Sequence, residues 1–148
     1  MNQYASKLSG AAIWARIMNA DPRWTTDGTQ VLMGNGQSGG IPAFWEELCQ
    51  DAIREIASVT WSQPVHLMVN RLPPGVITPV HIDPVAQNPP MRYHLPLVTN
   101  NGCFFWDEKR GFLMFGLGYW HRVDYKIKHA VGNIGEYERV HLIVDLQP

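Results

Sequence analysis

The sequence predicts a mainly β protein with flanking helices, its strands forming two antiparallel sheets that close into a barrel or jelly roll. Three observations point there. From residue 64 onward, short β-prone runs alternate with turn signals such as Gly75, Asn100-Asn101-Gly102, Gly116-Leu117-Gly118 and Gly135. One clear amphipathic helical pattern precedes them. Polar residues then recur at period two on several of the strands, where an all-β core would hold Val and Leu.

At 148 residues the chain reads as one domain, with 1–60 as a helical and loop flank and 61–148 as the β core. Residues 11–18 are apolar enough for a short helix or strand, ended by Asp21-Pro22. The stretch 25–40 carries Gly28, Gly34, Gly36, Gly39 and Gly40 and is expected as a mobile loop. It is no phosphate loop, because the Gly-Lys-Ser/Thr ending is absent. Over 42–59, Phe44, Trp45, Leu48, Cys49, Ala52, Ile53 and Ile56 recur at three- and four-residue steps, opposed by Glu46, Glu47, Asp51, Arg54 and Glu55. That pattern predicts one helix packed on a sheet, with Pro42 suited to its first turn. Strands are expected near 64–71, 76–82, 91–98, 102–106, 110–115, 118–124, 128–133 and 138–146.

The charge balance removes some function classes. Twelve basic and 13 acidic side chains give a net charge of −1, so nothing global favours nucleic acid or an anionic membrane. No apolar run is long enough to span a bilayer, and the amino terminus lacks a signal-peptide layout. Cys49 and Cys103 form neither a disulfide framework nor a CxxC motif, and fit a reducing cytoplasm.

Three strand pairs carry the chemistry. His81 and Asp83, Arg92 and His94, and Arg139 and His141 each share a strand face. Buried cations and imidazoles are costly without partners, so convergence of the three pairs implies a metal or an anionic ligand between them. Two imidazoles and a carboxylate, His81, Asp83 and a distant His129, leave metal positions open, as in non-haem Fe(II) oxygenases. The same donors also suit other metals, zinc among them. Elsewhere His66 reads as a satisfied histidine and His121 as structural or exposed. Asp107 and Asp145, near strand ends, read as solvent-facing.

Four ordered blocks, PPGVITPVHID, RYHLPL, GYWHRVDYKIKHAVGN and ERVHLIVDL, resemble the aspartyl/asparaginyl β-hydroxylase family of Fe(II)- and 2-oxoglutarate-dependent dioxygenases. The resemblance covers 65–146 and implies a double-stranded β-helix, the cupin-like jelly roll. It implies that His81, Asp83 and His129 ligate iron and that Arg139 clamps the distal carboxylate of 2-oxoglutarate. Arg92 and His94 would meet the cosubstrate's metal-proximal end, and His141 would border it or tune a ligand. Some animal members carry glycine at the position of Asp83. Relatives have a serine assisting the arginine where Asn70 stands. Asp124 and Asn133 are expected to stabilise the turns around His129.

The implied activity is hydroxylation of an unactivated C–H bond in an amino acid or a peptide or protein side chain, using O2 and releasing succinate and CO2. Two other readings stand beside it: a cupin-like metal protein that does not use 2-oxoglutarate, and a non-enzymatic module for small anions. The sequence suggests residues 35–40, 84–90 and Trp106 for the substrate rim, and is silent on oligomeric state.

Overall fold

A computed structural model describes residues 2–20, 31–33, 40–84 and 87–148, with only the backbone at 31–33. Among the described residues, ten strands and three helices run in the order β1 (Gln3–Ala5), α1 (Gly10–Ala20), β2 (Val31–Met33), α2 (Ala43–Leu48), α3 (Gln50–Thr60), β3 (Gln63–Leu72), β4 (Val76–Ile77), β5 (Met91–Val98), β6 (Cys103–Asp107), β7 (Gly111–Leu113), β8 (Tyr119–Val123), β9 (His129–Asn133) and β10 (Arg139–Gln147). They form a six-stranded sheet, β1-β8-β5-β10-β3-β2, and a four-stranded sheet, β4-β9-β6-β7. All the recorded strand pairings are antiparallel, and the architecture is the expected jelly roll with flanking helices.

Period-two alternation divides the larger sheet into two unlike faces. Leu67, Val69, Tyr93, Leu95, Leu97, Trp120, Val140, Leu142, Val144 and Leu146 point one way, onto Ile13, Trp14 and Ile17 of α1 and Ala52, Ile53 and Ile56 of α3. The main apolar core therefore lies between helices and sheet. Each large side chain buried there contributes about 1.5–3 kcal/mol. Glu55 ties the layers, accepting from Ser6 Oγ at 2.6 Å and from Trp120 Nε1 at 2.8 Å. The other face carries His66, Met68, Asn70, Arg92, His94, Arg139, His141, Ile143 and Asp145, and looks into the space between the sheets.

The structure departs from the expected elements at four places. The helix expected over 42–59 is two helices, broken at Cys49 with φ −112° and ψ 24°. Cys49 N–H closes α2 on the Trp45 carbonyl at 3.0 Å while its own carbonyl accepts from Ile53. The strand expected over 76–82 stops at Ile77, since Pro79 has no N–H to give the ladder. Pairing resumes as a lone bridge between His81 and His129. Within the expected loop 25–40, Val31–Met33 forms β2 and pairs with β3, whereas 25–30 and 34–39 lie outside the described residues. Finally, β1 adds an edge to β8 from the segment expected to hold only helix and loop.

Candidate metal centre and anion pocket

The bridge after Pro79 sets the metal-ligand geometry. His81 and His129 exchange both backbone hydrogen bonds, at 3.0 and 2.9 Å, so their rings leave adjacent strands side by side with centroids 4.4 Å apart. Each ring is held through Nδ1 by a carbonyl two residues back: Pro79 at 2.7 Å for His81 and Ile127 at 2.8 Å for His129. That bond places a proton on Nδ1 and aims Nε2 at the metal position, where a metal would displace any proton the nitrogen shares with Asp83. Both Nε2 atoms face Asp83 Oδ1, at 3.2 Å from His81 and 3.5 Å from His129. Among the described residues these three form the cluster able to hold a metal, their ligand atoms lying within 4.8 Å of one another.

Charge follows this geometry. Burial pushes the Asp83 carboxyl upward, but its hydrogen bond to His129 and the nearby charges of His129, Arg92 and His81 more than offset it, leaving it below the usual range. Burial likewise opposes charge on His129, but the bond to Asp83, the bond to the Ile127 carbonyl and the Asp83 charge together outweigh it and raise that imidazole. An anionic carboxylate between two imidazoles is what a divalent cation requires.

Behind the ligands stands Arg92 on β5. Its Nε and Nη2 bond both oxygens of Asp145 at 2.8 and 2.9 Å, and its Nη1 bonds Asp83 Oδ2 at 2.8 Å. The guanidinium lies over the Tyr125 ring, 4.2 Å from the centroid. His66 Nδ1 reaches Asp145 Oδ2 at 3.4 Å. Asp145 is therefore buried and paired, contrary to the solvent-facing expectation, because it shares strand parity with Arg139 and His141. Asp107 is fully buried too, bonded to the backbone N–H groups of Lys109 and Arg110 and to the Arg110 side chain.

Arg139 on β10 has different company. It is 2% exposed, and its Nη1 donates to Asn70 Oδ1 at 3.0 Å. Its Nη2 is buried with no hydrogen-bond partner among the described residues. Burial pulls its pKa down to about 10. The amide at position 70 thus accepts from Arg139 through its oxygen and orients the guanidinium.

His81, Asp83, His129, Arg92, His94, Asn70 and Arg139 all line one cavity of about 460 Å³, with His66, Thr78 and Phe105 among its other walls. Of the residues singled out from the sequence, His141 lies apart, behind His94, with the two Nδ1 atoms 3.0 Å apart. His121 is buried, stacked on Phe115 at 4.5 Å. Trp106 does not border the cavity; Phe105 takes the inward position on β6, and alternation turns Trp106 outward. Pro84 borders it, and 85–86 lie outside the described residues. Asp124 caps its turn through Lys126 N–H, and Asn133 bonds the carbonyls of Leu72 and Tyr137.

The residues fit a metal at one place in this cavity and an anion at another. Two imidazole nitrogens and one carboxylate oxygen leave positions open on a metal such as Fe(II). The orphaned Arg139 Nη2 needs an anionic acceptor, and a carboxylate accepts from adjacent guanidinium nitrogens in parallel.

Residues 36–148 match the family model described as aspartyl/asparaginyl beta-hydroxylase. The chain belongs to that family. It is a β-hydroxylase-family dioxygenase, with Fe(II), 2-oxoglutarate and O2 as the cofactor, cosubstrate and oxidant of its class. No curated protein matches the chain significantly. Among solved structures, a prolyl-4-hydroxylase from Pseudomonas putida superposes with a TM-score of 0.63 at 12% identity, over 99% of this chain and 91% of that one. The viral collagen prolyl hydroxylase of Paramecium bursaria Chlorella virus-1, solved as a 2-oxoglutarate complex, gives 0.62 at 12% identity, over 97% and 93%. An oxidoreductase of the 2OG-Fe(II) oxygenase family from Burkholderia pseudomallei gives 0.52 at 18%, over 68% and 55%. At these identities the likeness is one of fold, and in the first two it covers almost the whole chain.

Proposed function

We propose that this chain hydroxylates an unactivated C–H bond of an aspartyl- or asparaginyl-type amino acid, free or within a peptide or protein, with release of succinate and CO2. The observation that carries the reading is the orphaned Arg139 Nη2 in the same cavity as His81, Asp83 and His129. On this reading those three hold Fe(II), and Arg139, oriented by Asn70, binds the distal carboxylate of 2-oxoglutarate. His94, on the wall between, faces the cosubstrate's metal-proximal end, and His141 fixes the His94 ring from behind. Fe(II), when bound, supplies the O2 activation and redox chemistry that convert 2-oxoglutarate to succinate and oxygenate the substrate.

The chain's own part is placement. The two Nδ1–carbonyl bonds aim both Nε2 atoms before any metal arrives, which lowers the cost of assembling the site. Arg139 fixes one end of a dicarboxylate, so the other end meets the open metal positions in one orientation. Phe105, stacked on His129, gives the site a dry wall.

The test is succinate release from 2-oxoglutarate by purified protein with Fe(II) and O2, over a panel of free amino acids and of aspartyl, asparaginyl and prolyl peptides. Each product is checked for the gain of one oxygen. Coupled turnover on an Asp or Asn substrate is expected. Turnover confined to prolyl peptides would overturn the substrate class, and activity unchanged in a His81/His129 double variant would overturn the site.

A further inference from the structure

We infer that a basic cavity next to the metal cavity docks acidic side chains of a peptide or protein substrate, close in sequence to the residue held at the metal. This rests on the functional reading above and chooses between the free and the peptide-bound substrate that it leaves open.

Charge is the first observation. Of the chain's 12 lysines and arginines, five fall between residues 109 and 128. Lys109, Arg110, Arg122 and Lys126 line one cavity of about 420 Å³, bounded by the β6–β7 turn, the end of β8, the loop after it and the start of β5. The carboxylates on its lining, Asp107 and Asp124, are committed to their own turns. Asp107 is fully buried and accepts from the Lys109 and Arg110 N–H groups and from Arg110 Nε. Asp124 accepts from the Lys126 N–H at 3.1 Å. Arg110 is thereby held at the wall with guanidinium N–H groups left over, since it carries five. Among the described residues, Lys109, Arg122 and Lys126 enter no ion pair, and Lys109, Arg110 and Lys126 are exposed. The whole chain carries −1, so the positive field here is a local one.

Continuity with the metal cavity is the second observation. Arg92, Val123 and Tyr125 line both cavities, and the Arg92 guanidinium over the Tyr125 ring forms the partition between them. The segment that follows Asp83 touches both rims: Pro84 borders the metal cavity, and Pro89 and Pro90 border the basic one. A partition one side chain thick is spanned by about three residues of extended chain, at roughly 3.3 Å each.

Together these choose the occupant. A free amino acid held at the metal is too short to reach past the partition, so the second cavity suits a ligand that continues beyond the target residue. A nucleic acid needs a continuous cationic track with aromatic faces for its bases. Here Glu108 and Asp124 interrupt the cations, and the Tyr125 face is already covered by Arg92. Separate Asp and Glu side chains match separate cations set around a small cavity.

Fluorescence polarisation tests this on the full chain, loaded with Co(II) and 2-oxoglutarate without O2. The probes are a labelled peptide with a central Asn flanked on both sides by Asp and Glu, the same peptide with Ser and Gln flanks, and one with Lys flanks. Lys109→Glu/Lys126→Glu is the variant, two exposed positions outside the metal cavity, and unchanged 2-oxoglutarate affinity shows that it is folded. The wild type should bind the acidic peptide about tenfold or more tighter than the neutral one, with the preference fading at high salt. The variant should lose that preference and bind the Lys-flanked peptide better than the wild type does. Acidic and neutral peptides bound equally by the wild type, or not at all, would overturn the inference, as would a preference that survives in the variant. Labelled oligothymidylate bound more tightly than the acidic peptide, and lost in the variant, would overturn it in favour of nucleic acid. With Fe(II) and O2, Asn hydroxylation indifferent to flanking acids would sink the docking site and leave the functional reading intact. Acidic peptide held through Lys109 and Lys126 without succinate release would do the reverse.

Discussion

His94 and His141, on neighbouring strands, meet Nδ1 to Nδ1 at 3.0 Å, so one ring donates and the other accepts. Burial, and next to it the Arg139 charge, holds both imidazoles well below their usual value of 6.5. The sign of the pH dependence follows. Below pH 6.5 the unfolded chain takes a proton on each ring while the folded chain does not, so stability present above 6.5 is lost as pH falls toward the depressed values. The slope is up to about 1.4 kcal/mol per pH unit for each histidine. His129, raised by Asp83, works in the opposite sense, but it is common to wild type and variant. Urea unfolding between pH 7.5 and 5.5 should therefore show a shallower loss in His141→Gln than in the wild type. Equal slopes would show that the pair is not buried as a neutral couple.

Arg139 carries a charge that the folded protein does not fully pair. Replacing it with methionine alone would strand the buried Asn70 Oδ1, so the paired change Arg139→Met/Asn70→Leu should stabilise the metal-free protein by about 1 kcal/mol or more, the order of one unsatisfied buried group. The same change should weaken 2-oxoglutarate binding at least about 100-fold, for two lost charge-assisted hydrogen bonds. Metal binding should persist. Thermal shifts with and without 2-oxoglutarate read both effects, and a less stable Arg139→Met/Asn70→Leu protein would contradict the first.

Much of this site was legible because strand parity is a two-residue rule. β5 occupies 91–98, as its sequence pattern predicts, and Arg92 and His94 face the cavity together. Asp145 was missed for want of the same rule. It lies at even spacing from Arg139 and His141, and a position near a strand end does not override that parity. Trp106 fails as a rim residue for the converse reason, being one step from Phe105. The break at Cys49 was invisible, since Cys49 continues the apolar stripe on either side of it. Nor could composition reveal β1, whose three residues become a strand only through the distant edge of β8. The ion pairs that hold Arg92 were also out of reach, because only the folded chain brings Asp145 and Asp83 to it.

His81 and His129 should differ in stability although both are needed for metal. The His81 side chain is 41% exposed and bonded mainly to its own loop, so His81→Ala should remove metal binding with little change in folding. His129 is buried and stacked on Phe105 at 5.8 Å. His129→Ala should remove metal binding and also cost about 1–3 kcal/mol of stability, as large core truncations do. Metal titration and chemical denaturation of the two variants check this, and retained metal binding in either would count against the triad.

Two glycines near the ligand strand separate backbone clashes from side-chain ones. A Cβ on Gly132 of β9 would lie 2.2 Å from the Phe104 ring, the far end of a side chain that can move. A Cβ on Gly102 would lie 2.2 Å from the Gly135 backbone N and 2.5 Å from its Cα, in the turn between β9 and β10. That turn cannot shift freely, because Asn133 beside it holds the Leu72 and Tyr137 carbonyls at 3.0 and 2.7 Å and so sets where the Arg139 strand begins. Gly102→Ala should therefore cost about 1–3 kcal/mol, the usual range for overpacking. Gly132→Ala should cost less, and a second change of Phe104→Ala should restore what it loses while leaving the Gly102→Ala defect in place. Rescue of both glycine variants by Phe104→Ala would show that the 133–135 turn yields as readily as a side chain, and that it does not anchor Arg139.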